Sequence, residues 1–93
     1  MQVTKITEVH IEFVRPKDGL IGFASLIIDG SFYLSCIAIH KKLNSSGYRL
    51  TYPNKGKFPI FFPINKSIGK LIEQHVLEQL KDVMNKKKNH EYQ

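Results

Sequence analysis

The sequence holds a single cysteine, Cys36, in 93 residues. One thiol excludes an intrachain disulfide and any zinc site built from several cysteines, and it fits a reducing compartment. Cys36 lies within the apolar run from Phe32 to Ile39, so it is expected to be buried as a small hydrophobe. Long apolar runs are missing as well. None approaches the roughly 18 residues of a membrane helix, and MQVTKITEVH at the N-terminus shows neither a basic region followed by an apolar one nor a small-residue cleavage site. A cytoplasmic protein with no membrane partner is expected. The third lack is of negative charge: between Asp29 and Glu73 there is no acidic residue, yet Lys41, Lys42, Arg49, Lys55, Lys57, Lys66 and Lys70 all fall there.

What is present suits a folded chain. An apolar share of 42% with 24% charged residues is far from the composition of disordered proteins, and 93 residues are too few for two separate cores. The net charge of +6 favours polyanions through counterion release, and its confinement to one stretch of sequence favours a patch over a scatter.

Alternation from Glu8 to Phe13 sets Val9, Ile11 and Phe13 against Glu8, His10 and Glu12, which predicts a half-buried strand over 3–15. Pro16-Lys17-Asp18-Gly19 reads as a turn, and Asp29-Gly30 is a strong hairpin signal because a type I′ turn needs positive φ at both central positions. Strands over 20–28 and 32–40 follow. Neither alternates: Leu26 and Ile28 oppose Ile21, Phe23 and Ile27, and Phe32 and Leu34 oppose Tyr33, Ile37 and Ile39. Both faces of this hairpin want cover. A fourth strand, 48–52, has Tyr48, Leu50 and Tyr52 inside and Arg49 and Thr51 outside, and Pro53 ends it. After a basic loop over 54–57, the segment from Phe58 to Pro63 has room for at most a short edge strand.

Asn65 is a good N-cap, and Ile68, Leu71, Ile72, Val76, Leu80, Val83 and Met84 form one stripe of a helix over 66–85. The predicted fold is α+β: an antiparallel sheet of four to five strands, a β-meander, followed by a C-terminal helix. Residues 1–85 make the single domain and 86–93 a basic, disordered tail. One helix covers one face of one sheet, so the second apolar face predicts a homodimer.

No catalytic constellation is present. His10, His40, His75 and His90 lie in different elements without paired-ligand spacing, and there is neither a Gly-rich phosphate loop nor a carboxylate pair in an apolar setting. No enzyme activity, cofactor, metal or small-molecule substrate is expected. What remains is basic and aromatic together: Tyr48, Arg49, Tyr52, Lys55, Lys57, Phe58, Phe61 and Phe62. Aromatic rings stack on bases while Lys and Arg neutralise phosphates, although phenylalanines in such segments are more often core plugs.

The frame from Tyr52-Pro53-Asn54-Lys55 to Phe62-Pro63-Ile64-Asn65, with the helix after it, resembles the stage V sporulation protein G (SpoVG) family of bacteria. Upstream, Val3-Thr4-Lys5-Ile6, Phe23-Ala24-Ser25-Leu26, Phe32 and Ile37-Ala38-Ile39 resemble that family's strands, and Ile72, Val76 and Leu77 match apolar helix positions. The resemblance implies a dimeric sheet-plus-helix protein that binds DNA and RNA and regulates gene expression, in a family associated with septation and sporulation. The family's basic loop is longer than Asn54-Lys55-Gly56-Lys57-Phe58, and an arginine early in its helix falls at Gly69, so Lys55 alone is carried over from that loop.

Taken together, a bacterial nucleic-acid-binding regulator is expected, with Arg49, Lys55, Lys57, Lys66 and Lys70 converging on one face to contact phosphates. The alternative is a protein–protein interaction module, of the kind carried by mobile elements, that keeps the fold and has lost specific DNA binding.

Overall fold

The structure, a computed structural model, describes residues 4–91, with side chains described through residue 86. The predicted start of the first strand at Val3 and the last two residues of the tail lie outside the described residues. Four antiparallel strands, β1 (Ile6–Lys17), β2 (Leu20–Ile28), β3 (Phe32–Lys41) and β4 (Tyr48–Thr51), form one sheet in the order β1-β2-β3-β4. Two-residue strands β5 (Asn54–Lys55) and β6 (Phe58–Pro59) make a separate hairpin, and the helix α1 (Lys66–Glu91) closes the chain. The fold is α+β, as expected. Among the described residues no helix is long and apolar enough to cross a membrane.

Both long hairpins turn on Asp-Gly. Asp29 and Gly30 have φ of 53° and 64°, the pair of positive angles a type I′ turn requires, and Ser31 N donates to Ile28 O at 2.9 Å. Asp29 also ties the turn to the chain before β1: Lys5 N donates to Asp29 Oδ1 and Asp29 N to Lys5 O, each at 2.7 Å. Asp18 and Gly19 repeat the pattern with φ of 53° and 90°. The first strand therefore runs two residues past Arg15, through Pro16. That is possible because β1 is an edge strand, where a missing N–H need not break the ladder.

Bulges decide which side chains reach the core. Thr7 faces Ile27 while His10 faces Ser25, so Glu8 and Val9 together oppose Leu26, with Glu8 at φ 51°. On β3, Leu34 faces Leu26 and Ile37 faces Ala24, so Ser35 and Cys36 oppose Ser25, with Cys36 at φ 64°. An extra residue reverses the phase of every side chain beyond it. Ile6 thereby joins Ile11, and Leu34 joins Ile37 and Ile39, on the side that meets α1. This corrects the expectation that Ile37 and Ile39 point away from Leu34. A further irregularity between Leu20 and Gly22 brings Ile21 against the core, away from Phe23 and Ile27. Cys36, expected to be buried, is exposed at its bulge.

The core is the layer between these residues and α1. Leu26, Ile37 and Ile39 are fully buried with Val76, and Ile72 and Leu80 retain only 2% exposure. Asn65 caps the helix as expected, Oδ1 accepting from Ile68 N at 2.8 Å. At the other end the helix runs to Glu91 and not to Asn85, because Lys86-Lys87-Lys88-Asn89 holds neither Gly nor Pro and lysine is a good helix former. The uncovered sheet face keeps Phe23, Ile27, Tyr33 and Ala38, fewer apolar groups than unbulged strands would leave there.

Candidate nucleic-acid interface

All seven cations of the acid-free stretch are exposed, and among the described residues none is engaged in an ion pair. They fall into two groups. In β4, Tyr48 and Leu50 pack toward the core, as does Tyr52 just after it, so Arg49 projects from the sheet face that α1 does not cover. The register sets Arg49 opposite His40 and Tyr48 opposite Lys41. Arg49, His40, Lys41 and Lys42 with Asp18 line an open cleft of about 350 Å³. His40 is oriented by a 2.9 Å hydrogen bond between Nε2 and Thr51 Oγ1. The connection beside it is held by Lys41 N donating to Gly19 O (2.7 Å) and Lys42 N to Gly47 O (3.0 Å).

The second group surrounds the small hairpin and the start of the helix. Lys55 pairs with Phe58 across the β5–β6 ladder, and the turn between them, Gly56-Lys57, begins with Gly56 at φ 61°, a position that favours glycine. Ile60 N donates to Pro53 O at 3.0 Å and closes the hairpin base. Lys57 Nζ stands 6.0 Å from the centroid of the Phe58 ring. Eight residues after Phe58, Lys66 opens α1 and Lys70 follows one turn later, each two residues from a core-facing isoleucine and so on the outward side of the helix. The first turn carries no acidic residue, so Lys66 sits where the helix dipole already places positive potential.

Arg49 stands apart from the helix lysines of this second group. Tyr48 Oη contacts Met84 Sδ at 4.0 Å, late in the helix, whereas Tyr52 lines a cleft with Ile68 and Ile72 near its start. Lys70 precedes Met84 by fourteen residues, about 21 Å of helix, and the sheet lies between Lys70 and Arg49. Lys55 and Lys57 lie on the small hairpin, and Lys66 and Lys70 on the first two turns of the helix; Arg49 shares its cleft with Lys41 and Lys42, which the expected site omitted. Their membership in the acid-free stretch and the short connection to the fourth strand were the available signal.

The aromatic residues also divide. Phe61 is the core plug, edge-on to Tyr52 with centroids 6.0 Å apart and planes at 73°. Burial first, and the negative charge of Glu73 second, raise the Tyr52 phenol above its ordinary value. Phe58 and Phe62, by contrast, are 68% and 54% exposed. Among the described residues no group of three or more His, Cys, Asp or Glu is placed to hold a metal ion. No protein-family model matches the chain, and no curated protein matches it.

Proposed function

We propose that this protein is a non-catalytic nucleic-acid-binding regulator that works as a homodimer in the bacterial cytoplasm, as its resemblance to the SpoVG family implies. The observation that carries this reading is the set of seven exposed cations, without one carboxylate, over 43 consecutive residues. Such a surface attracts any polyanion, and each phosphate it neutralises steepens the fall of affinity with salt. Lys55, Lys57, Lys66 and Lys70 contact one length of backbone, and Arg49 with Lys41 and Lys42 contacts another. Pairing two copies through Phe23, Ile27, Tyr33 and Ala38 would cover the open sheet face, from which Arg49 also projects, and duplicate the lysines of the small hairpin and helix start.

Titration of labelled single-stranded and duplex oligonucleotides over a salt series tests the proposal. Wild-type binding weakens steeply with salt, and Lys55→Glu with Lys57→Glu lowers affinity and flattens the slope by about two contacts. Binding unchanged in that variant but lost on removal of residues 86–93 would move the site to the helix end. A protein-interaction module is the second reading, favoured by the exposure of Phe58, Ile60, Phe62 and Ile64. It predicts no salt-dependent retention of either oligonucleotide.

A further inference from the structure

We propose that the tip of the β5–β6 hairpin is a stacking platform for an unpaired base, with Phe58 supplying the ring and Lys55 and Lys57 holding the neighbouring phosphates. The partner it selects is single-stranded nucleic acid in preference to duplex. This rests on the nucleic-acid reading above and specifies what that site takes.

The ring is presented, not merely left over. Phe58 sits in a ladder pair with Lys55, next to a two-residue turn, on a hairpin whose base is closed by the Ile60 to Pro53 hydrogen bond. These constraints hold the backbone while every residue from Asn54 to Ile60 stays exposed. Phe61, three positions on, shows what an aromatic ring does here when it serves the fold: it packs edge-on to Tyr52 and against the core. Phe58 does neither, and the ammonium of Lys57 lies beside its ring.

Charge selects the occupant. A second copy docking tip to tip about a two-fold axis would bring Lys55 and Lys57 against their own equivalents, with no carboxylate nearby in sequence to relieve the repulsion. A nucleic-acid strand offers the complement to both features, a planar π face for the ring and phosphates for the two lysines. In a duplex the base faces are already stacked on one another, so only a single strand, loop or end can supply one.

The test uses the full chain, an oligothymidylate and a duplex of equal length, with wild type, Phe58→Ala, Phe58→Trp and the double variant Lys55→Glu with Lys57→Glu. Because the sequence contains no tryptophan, Phe58→Trp carries a single indole at the tip. Phe58→Ala is expected to lose roughly 5- to 150-fold in affinity for oligothymidylate at an unchanged salt slope, with duplex affinity unaltered. In Phe58→Trp, emission is quenched on adding oligothymidylate and not on adding duplex. Phe58 lies outside the core, so circular dichroism and the melting temperature of each variant should match wild type.

Wild-type affinity in Phe58→Ala, or equal losses on both probes, would overturn the platform while leaving salt-dependent binding by the lysines intact. A concentration-dependent blue shift of Phe58→Trp emission without oligonucleotide would overturn it in favour of burial against a second copy. If wild type binds neither probe at low salt, the nucleic-acid reading itself falls and the platform with it.

Discussion

Gly22 and Gly69 show how differently two glycines can matter in one small domain. A Cβ at Gly22 would stand 2.7 Å from Glu12 O and 3.3 Å from Phe13 Cα, both backbone atoms of the neighbouring strand that cannot swing aside. Gly22→Ala should therefore force β1 and β2 apart and destabilise the protein by about 1–3 kcal/mol. At Gly69 the nearest atom would be Pro63 Cγ at 3.6 Å, ordinary van der Waals contact, in the first turns of a helix. Gly69→Ala should raise stability by up to about 1 kcal/mol. Thermal melts of the two variants should move in opposite directions; a neutral Gly22→Ala would contradict the close approach of the first two strands.

Among the elements, α1 divides into a part that holds the fold and a part that extends beyond it. Ile72, Val76 and Leu80 are buried against the sheet, and the Tyr48 contact at Met84 is late in the helix. Val76→Asp would bury an unpaired charge and should unfold a domain with the usual stability of about 5–15 kcal/mol. Ending the chain after Asn85 should leave the melting temperature nearly unchanged, measured by circular dichroism. A loss of several kcal/mol on truncation would show that the last turns dock. The stripe of this helix, its N-cap at Asn65, the Asp29-Gly30 turn and the bounds of β2 were all legible in the sequence, because each follows from a local rule about spacing or allowed φ. The bulges were not. Glu8 and Cys36 take positive φ without being glycine, and no local pattern marks a residue that the pairing of two strands forces into that conformation. The same hidden rephasing is why Ile37 and Ile39 were expected on the wrong face and Cys36 in the core. At the site, the small hairpin's two lysines were legible from charge alone, whereas the company Arg49 keeps depended on strand register, and the exposure of Phe58 on tertiary placement.

At the scale of the whole molecule, seven of the 14 Lys and Arg residues behind the net charge of +6 lie in the acid-free stretch, in two groups, one at the cleft beside β4 and one on the small hairpin and helix start. Acidic residues fall on either side of the acid-free stretch, at Glu8, Glu12, Asp18 and Asp29 before it and at Glu73, Glu78, Asp82 and Glu91 after it. Two separate groups suit a flexible or long polyanion better than a small anion, and pairing of copies through the open sheet face would place the hairpin and helix-start lysines twice in one assembly. Light scattering at micromolar concentration should then report about twice the 10.7 kDa chain mass. A monomer would remove the assembly and leave each cluster to act alone. The most direct test of the central claim is the dependence of oligonucleotide affinity on salt for the unmodified chain. Affinity is predicted to fall log-linearly, with a slope near −0.7 per phosphate contacted on a single strand and about −0.9 on duplex. No binding at low salt, or binding that salt leaves unchanged, would contradict it.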